Sequence, residues 1–483
     1  MPESSDFIIG GNQHTQVSVH VAMSNRHGVI SGATGSGKTV SLQVLAESFS
    51  SIGVPVFISD AKGDLSGLAN PASHVERFDK RLETIGLTDY SPSASPTVFW
   101  DIFGQNGHPV RTTISEMGPL LLSHLLELND TQTGIMYSCF KIADDSGMLL
   151  LDLKDLRSML MWMGENARQL RSEYGNISSA SIGAIQRRLL VLEEQGAEDF
   201  FTEPAVSLSD FMQVDFSGRG VISILDSVDL IAKSPRLYST FLLWLLSELY
   251  ENLPEKGDAE KPELVLFFDE AHLLFDRAPR VLVDKIEQIV RLIRSKGVGI
   301  YFITQSPLDI PDDILGQLGL RIQHALRAFT PKDRKTVKAV AQNFRSNPGI
   351  NTETAITQLE IGEALVSVLD KKGAPTPVER ILIRPPASQI GPLEDAQRRQ
   401  RIQRSPLSGR YDEVLDRESA YELLKLRAEE KAKQAESTPK RKSGRSRQSV
   451  GEAFIKSAAR SIGRQVGRQI LRGVLGSIFG GRR

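Results

Sequence analysis

The sequence has little cysteine and no long hydrophobic run. Cys139 is the only cysteine in 483 residues, which excludes intramolecular disulfides and multi-cysteine zinc or iron–sulfur sites. The longest apolar stretches, such as residues 241–246, are too short to span a bilayer. The opening MPESSDF lacks a signal-peptide pattern, and the histidines lack metal-ligand spacing. We therefore expect a cytoplasmic protein with no zinc site.

The chain also has no excess of positive or negative residues, but its charged residues are unevenly distributed along the sequence. Lys and Arg number 58 against 59 Asp and Glu, a net charge of -1. Residues 431–483 hold fourteen Lys or Arg and two Glu, so the basic charge is concentrated at the end. There, residues 437–449 are typical of disorder, and residues 454–478 form the pattern of a cationic amphipathic helix. Such a tail suits an anionic membrane surface, DNA phosphates or a protein partner, or remains solvated without a ligand.

Short runs rich in Val, Ile and Phe alternate with helical patterns between residues 28 and 303. This alternation predicts an α/β fold with a mostly parallel sheet and helices on both faces. The predicted strands are residues 27–31, 54–59, 220–225, 264–268, 299–303, 321–326 and 364–369.

The long gap between the second and third strands has helical periodicity at residues 114–128, 153–163 and 180–194. We predict five regions. They are the start of the core at 1–69, a mostly helical insertion at 70–217, the rest of the core at 218–386, a charged helical extension at 387–436 and the basic tail at 437–483.

A phosphate-binding loop follows the first predicted core strand. The segment GATGSGKT satisfies the pattern G-x-x-x-x-G-K-[ST] between a strand and a helix. In such loops the backbone N–H groups, the lysine and the hydroxyl hold the phosphates and magnesium. The predicted binding residues are Gly32, Ala33, Thr34, Gly35, Ser36, Gly37, Lys38, Thr39 and Val40, with Thr39 also a magnesium ligand.

An acidic pair, Asp269 and Glu270, ends the strand at 264–268. The aspartate is predicted to hold Mg²⁺ and the glutamate to activate water. Gln305, at the end of the strand at 299–303, is predicted to sense the γ-phosphate, with a strand-end cap as the alternative. The segment DEAH matches the box of RNA helicases, but the Arg-rich motif of those helicases is not found in this chain. The segment DAKG matches the D-x-x-G motif of GTPases, but the chain has no guanine-reading motif, so ATP is the expected nucleotide.

Four segments together resemble a known family: GATGSGKT, VPVFISDAKGDLSGLA, LVLFFDEAHLLF and RLIRSKGVGIYFITQSPLDIP. Over residues 25–421 the chain is similar to the HerA–FtsK superfamily of P-loop motors, and most closely to the YjgR-like bacterial HerA relatives. This resemblance implies a RecA-like core that assembles as a ring, a hexamer, with ATP at subunit interfaces and DNA through the centre. It also implies that Arg294, or else Arg291 or Arg327, is a finger donated to the neighbouring subunit.

Two departures limit what the resemblance implies. Archaeal HerA proteins have an N-terminal barrel that docks a nuclease, whereas only some 26 residues precede the first predicted core strand here, so a nuclease partner is not expected. The membrane helices and the DNA-reading domain of FtsK proteins are not identified either. The leading hypothesis is an ATP-hydrolysing DNA translocase or helicase, with residues 62–64 among the candidate DNA-contacting loops. The alternative is an ATP-dependent oligomeric switch that does not translocate.

Overall fold

The computed structural model describes residues 6–257, 259–276 and 280–437 of the chain. The predicted basic tail lies outside the described residues except for its first position. No helix within the described ranges is both long enough and apolar enough to cross a bilayer.

Twelve strands form one sheet in the order β2-β1-β12-β11-β10-β3-β9-β8-β4-β7-β5-β6. The strands are β1 Phe7–Gly11, β2 Gln16–Val19, β3 Gly28–Ser31, β4 Val56–Asp60, β5 Thr97–Asp101, β6 His108–Pro109, β7 Ile222–Asp226, β8 Leu264–Phe268, β9 Val298–Thr304, β10 Leu320–Gln323, β11 Glu363–Ser367 and β12 Glu379–Ile383. The predicted α/β class with a mostly parallel sheet is confirmed.

The centre of this sheet is parallel and buried. Every neighbouring pair from β10 to β5 is parallel, and each residue of β4, β7, β8 and β9 is buried. The register pairs Ser31 with Thr304 and Ser59 with Phe268. Because these strands end level, the residues that follow them meet at one edge of the sheet, where ligands bind in open α/β folds. We call this the carboxyl edge.

Five strands in the structure lie outside the predicted ones. β1, β2 and β12 extend the sheet through antiparallel pairs, and β5 is parallel to β7. β6 ends the sheet beyond β5. β5 falls inside the predicted insertion, where its short apolar sequence TVFWD was assigned to a helical region.

Seventeen α-helices lie in the described ranges. They are α1 Lys38–Ser51, α2 Glu76–Ile85, α3 Ile114–Leu125, α4 Asp130–Asp145, α5 Leu153–Glu165, α6 Ala167–Tyr174, α7 Ser179–Glu194, α8 Ala197–Phe200, α9 Val228–Lys233, α10 Pro235–Asn252, α11 His272–Phe275, α12 Arg280–Leu292, α13 Asp312–Leu315, α14 Pro331–Gln342, α15 Thr352–Gln358, α16 Asp395–Gln403 and α17 Ala420–Ser437.

Helices cover both faces of the parallel strands. On one face, Phe49 of α1 packs against Phe267 and Tyr301, with ring centroids 6.4 and 5.8 Å away. On the other face, Ser59 of β4 is hydrogen-bonded to Tyr238 of α10, 2.8 Å between oxygens. α1 is therefore held against the sheet with its first turn at the carboxyl edge.

The chain forms two compact units. The sheet unit comprises residues 6–108 and 207–408, and the helical unit comprises residues 109–206 and 409–437. The boundaries differ from the predicted ones, since residues 70–108 and 207–217 belong to the sheet unit. The predicted extension at 387–436 is divided, because α16 belongs to the sheet unit and α17 to the helical unit.

Local hydrogen bonds fix the helix starts in the helical unit. Thr113, Asn129 and Asp152 each accept from a backbone N–H in the first turn of α3, α4 and α5, in complete capping boxes. Asp155 of α5 accepts from the backbone N–H of Tyr421, 2.8 Å away, and so joins α17 to α5.

Candidate nucleotide site

The phosphate-binding loop joins β3 to α1 at the carboxyl edge. Gly35 and Gly37 have φ of 76° and 116°, a conformation that favours glycine. Gly37 precedes α1 and no side chain caps this helix start, so the first backbone N–H groups and the positive end of the helix dipole are available to an anion. The structure places all nine predicted loop residues here, with Thr34 and Gly35 exposed and Val40 packed on the core.

Lys38 folds back over this loop. Its ammonium donates to the carbonyl oxygens of Gly32 and Ala33, 2.6 and 3.1 Å away. Burial lowers the pKa of Lys38, and the positive charge of Lys62 lowers it further. The ammonium has only neutral partners in these two bonds, so phosphate oxygens offer it a stronger interaction.

His324 supports the loop from behind. Its Nδ1 donates to the Glu363 carbonyl at 2.8 Å, which leaves Nε2 to accept from the Ser41 hydroxyl at 2.8 Å. Burial lowers the pKa of His324 to about 4, so the ring is neutral at pH 7. A Cβ on Gly32 would lie 2.6 Å from the His324 Cβ, so this glycine allows the close approach. The sequence analysis gave His324 no role at the loop, because only β3–β10 pairing brings it there.

Asp269 and Glu270 follow β8 at the same edge. The Asp269 carboxylate is buried, which raises its pKa to about 6, and its carbonyl accepts from the Tyr238 hydroxyl at 3.1 Å. Glu270 has φ of 49°, an uncommon conformation for a residue with a side chain. The pKa of Glu270 is lowered to about 2, mainly by a hydrogen bond from His272 and to a smaller extent by one from Lys62.

Gln305 follows β9 and reaches Glu270, with its Nε2 3.5 Å from Oε2. The structure therefore brings this pair together, as the predicted roles require. The adjacent strand end is secured instead by Asp309, whose carboxylate accepts from the Thr304 hydroxyl at 2.7 Å and the Ser306 N–H at 3.0 Å. The position of Gln305 thus favours the phosphate-sensing interpretation over the capping one.

The residues beside Thr39 fit a magnesium ion. Asp64 Oδ1 is buried and has no hydrogen-bond partner among the described residues. Burial raises the pKa of Asp64, whereas the charge of Lys62 and a hydrogen bond with Thr39 oppose that rise. Mg²⁺ takes one or two carboxylates together with waters and substrate phosphates, so Thr39, Asp269 and the unsatisfied oxygen of Asp64 form a suitable donor set. The sequence analysis did not assign Asp64 to the metal.

Lys62 is a further site residue whose contact with the acidic pair the sequence did not indicate. It lies in the turn after β4, where Asp60 accepts from the N–H groups of Lys62, Gly63 and Leu65. The Lys62 ammonium lies 2.9 Å from Glu270 Oε1. From the sequence alone, Lys62 is predicted only as part of a candidate DNA-contacting loop.

Of the predicted finger residues, Arg294 and Arg291 lie away from this site. Arg294 lies in the turn Ile293–Lys296, before the first residue of β9 and so at the opposite edge of the sheet. The seven residues of β9 separate the two edges by about 20 Å. Arg291 pairs with Glu287 of its own helix. Arg327 is exposed at the carboxyl edge, two residues after Ala325, whose carbonyl accepts from the Ala33 N–H at 2.8 Å.

Comparisons with known proteins agree with this geometry. A family model described as helicase HerA-like C-terminal matches residues 6–483. The curated relative named DNA double-strand break repair helicase HerA from Sulfolobus acidocaldarius is 23% identical over 370 residues, covering 74% of this chain and 65% of its own length. The protein of the same name from Sulfurisphaera tokodaii is 22% identical over 366 residues, covering 73% and 64%. The chain thus spans about 65% of the length of these relatives.

A solved structure shares the fold. VirB4 of Thermoanaerobacter pseudethanolicus superposes with a TM-score of 0.51 at 15% identity, covering 80% of this chain and 98% of that chain. The predicted RecA-like P-loop core is confirmed.

Proposed function

The chain belongs to the HerA-like family, and on this basis we propose that it is an ATP-hydrolysing motor that acts on DNA as a ring of subunits, a hexamer, in the cytoplasm. One observation carries the proposal. The ends of three parallel strands bring the loop of Lys38, the acidic pair Asp269 and Glu270, and Gln305 to one edge of the sheet. A phosphate cradle beside a metal-binding and a water-activating carboxylate is the arrangement that nucleotide hydrolysis needs.

In the proposed reaction, ATP binds with its phosphates along the loop and the start of α1. Lys38 exchanges loop carbonyls for β- and γ-phosphate oxygens, while Thr39 and Asp269 hold Mg²⁺. The ion, when bound, neutralises phosphate charge. Glu270 takes a proton from a water that Gln305 orients. The water oxygen bonds to the γ-phosphorus as the bond to the ADP oxygen breaks, which gives ADP and phosphate.

The position of Arg294 supports the ring. A side chain at the opposite edge of the sheet is too far away to reach the phosphates of its own subunit, so a finger at this position requires a neighbour. We expect Arg294→Ala to lower hydrolysis by about a thousandfold or more, the smaller end of finger effects. Mixing Arg294→Ala with Glu270→Gln should restore part of the activity, since some interfaces then carry both intact residues. No restoration on mixing would contradict donation between subunits.

DNA is proposed as the polymer because the curated relatives carry the name of DNA repair helicases. The predicted basic tail adds phosphate-binding capacity, although it lies outside the described residues.

The decisive experiment measures steady-state ATP hydrolysis with and without single- and double-stranded DNA, using Glu270→Gln as the control for contaminating ATPases. Stimulation by DNA that disappears in Glu270→Gln would support a motor. Hydrolysis that depends on Glu270 but ignores DNA would favour the switch without translocation. Absence of Glu270-dependent hydrolysis would overturn the proposed ATPase.

A further inference from the structure

Both carboxylate oxygens of Glu270 are engaged by neighbouring side chains. Lys62 Nζ lies 2.9 Å from Oε1, whereas His272 Nδ1 and Gln305 Nε2 lie 3.3 and 3.5 Å from Oε2. A general base must present a free oxygen to the water whose proton it takes. Two of the three groups bear on the charge of Glu270, because the hydrogen bond with Glu270 raises the pKa of His272 and Lys62 is a cation. Lys62 makes the shortest of the three contacts and is the one that also reaches Asp269.

Lys62 also stands beside the predicted magnesium ligand. Its ammonium lies 3.6 Å from Asp269 Oδ2. The Asp269 and Glu270 side chains are only 6% and 15% exposed, so one ammonium group compensates two largely buried negative charges. A divalent cation bound at Asp269 would meet strong repulsion from a positive charge at this position. Lys62 and Mg²⁺ would thus compete for Asp269.

The backbone of the Lys62 turn is held by hydrogen bonds, whereas its side chain is partly exposed. Asp60 accepts from the Lys62 N–H at 3.2 Å and the Gly63 N–H at 2.8 Å, which holds the turn. The Lys62 side chain is 35% exposed, and four methylene groups connect its ammonium to the fixed turn. A change of side-chain rotamer is sufficient to carry the ammonium from the acidic pair to solvent.

We propose that Lys62 is a positioning residue that acts as an internal counter-ion, holding Glu270 away from the attacking water until Mg²⁺-nucleotide displaces the ammonium. The proposal rests on the proposed function, because it concerns the control of the same site. It makes hydrolysis depend on complete loading, since nucleotide without metal leaves Lys62 on Glu270.

The first test measures metal binding without catalysis. Binding of the fluorescent ADP analogue mant-ADP is titrated with Mg²⁺ in the full chain and in Lys62→Met, which keeps the length and removes the charge. The Mg²⁺ concentration at half-saturation should fall about fivefold in the variant, because one repelling charge is lost. Lys62→Arg, which keeps the charge, should return the Mg²⁺ requirement toward that of the wild type.

Lys371→Met is the matched control. Lys371 is exposed in the turn after β11, and β11 is antiparallel to β10, so this lysine lies at the opposite edge of the sheet from the loop. The Mg²⁺ requirement should not change in this variant. A thermal melt of each variant checks folding, and Lys62→Gln serves if Lys62→Met is unfolded.

The second test measures DNA-free hydrolysis. Release of Glu270 predicts a severalfold higher kcat in Lys62→Met with a smaller change in KM. A lower kcat would identify Lys62 as a ligand of the γ-phosphate in the transition state and would overturn the proposal. An unchanged Mg²⁺ requirement would overturn it equally.

The two tests separate this proposal from the proposed function. If the wild type shows no Glu270-dependent hydrolysis, the ATPase proposal fails, and the Mg²⁺ titration alone decides whether Lys62 competes with the metal. If the wild type hydrolyses ATP while Lys62→Met shifts neither quantity, only the counter-ion proposal fails.

Discussion

A buried carboxylate of the helical unit has different surroundings from the charged groups at the carboxyl edge of the sheet unit. In the helical unit, Asp155 accepts four hydrogen bonds, from the N–H groups of Leu151, Asp152 and Tyr421 and from the Ser419 hydroxyl. At the carboxyl edge of the sheet unit, Asp64 Oδ1 is buried and has no hydrogen-bond partner within the described part of the chain, and the Lys38 ammonium donates to the neutral carbonyls of Gly32 and Ala33.

The difference separates charged groups whose hydrogen bonds come from the protein itself from charged groups that gain a partner when a ligand binds. A buried carboxylate whose oxygens are all satisfied stabilises local structure, whereas one left unsatisfied costs free energy that the rest of the fold must offset. Such a cost persists at binding sites because the ligand removes it. The comparison therefore predicts opposite outcomes for substitutions in the two places.

The largest expected effect is on binding in Lys38→Ala. Removal of the ammonium should weaken mant-ADP binding about a hundredfold or more, since charge-assisted bonds to two phosphates are lost. The melting temperature without nucleotide should fall less than that of Asp155→Ala, because burial and the charge of Lys62 both disfavour the Lys38 ammonium. Fluorescence titration and thermal melts check both. A large loss of stability would contradict the comparison.

Asp155→Ala should have a large effect on stability and none on nucleotide binding. The substitution leaves several buried donors without an acceptor and should lower the free energy of unfolding by about 3 kcal/mol. Mant-ADP binding by the folded protein should remain unchanged, because Asp155 belongs to the helical unit. Urea unfolding measures the first quantity. Weakened nucleotide binding in fully folded samples would break the comparison.

Asp64→Asn tests whether the unsatisfied oxygen serves the metal. The Mg²⁺ concentration for half-saturation of mant-ADP binding should rise about tenfold, the usual cost of losing a metal-supporting carboxylate. Stability without nucleotide should not fall, since a buried charge is removed. The shift is opposite in direction to that expected for Lys62→Met, so the pair forms a directional control. A stability loss like that of Asp155→Ala would assign Asp64 to the fold.

The smallest expected effect is a change of stability with pH that depends on His324. This residue lies at the phosphate-binding loop, yet both of its ring nitrogens have hydrogen-bond partners in the protein, so it should behave like a group of the fold. Its pKa falls from 6.5 to about 4 in the folded protein, so the unfolded chain binds a proton more readily. Stability from this residue is therefore present above pH 6.5 and is lost as the pH falls toward 4. Between pH 7 and about pH 5.5, the stability advantage of the wild type over His324→Gln should shrink by about 1 kcal/mol. A constant advantage would contradict the buried neutral ring.

The sequence predicted the parts of the fold that local patterns encode. GATGSGKT specifies its own turn and helix start, and the apolar run Leu264–Phe268 specifies a buried strand. β1 pairs with the distant β12, and it forms a local hairpin with β2 whose segments FIIGG and QVSV give only short, weak strand patterns alone.

Contacts within the site were harder to predict, because they depend on strand order. Lys62 contacts Glu270 because β4 lies beside β8, and His324 reaches the phosphate-binding loop because β10 lies beside β3. The residue types Asp269, Glu270 and Gln305 were informative because their chemistry is recognisable at strand ends. A lysine in a turn carries no such signal.

The division of the helical unit between two distant stretches of chain has a consequence for synthesis on the ribosome. α5 emerges long before α17, yet Ser419 and Tyr421 at the start of α17 supply two of the four donors to Asp155. The nascent helical unit must wait, with its buried acid incompletely paired, while residues 207–408 are translated. Translation proceeds at roughly 5–20 residues per second, so this interval is about 10–40 seconds. During it, the backbone N–H groups of Leu151 and Asp152 are the two native donors to Asp155 that the chain already contains.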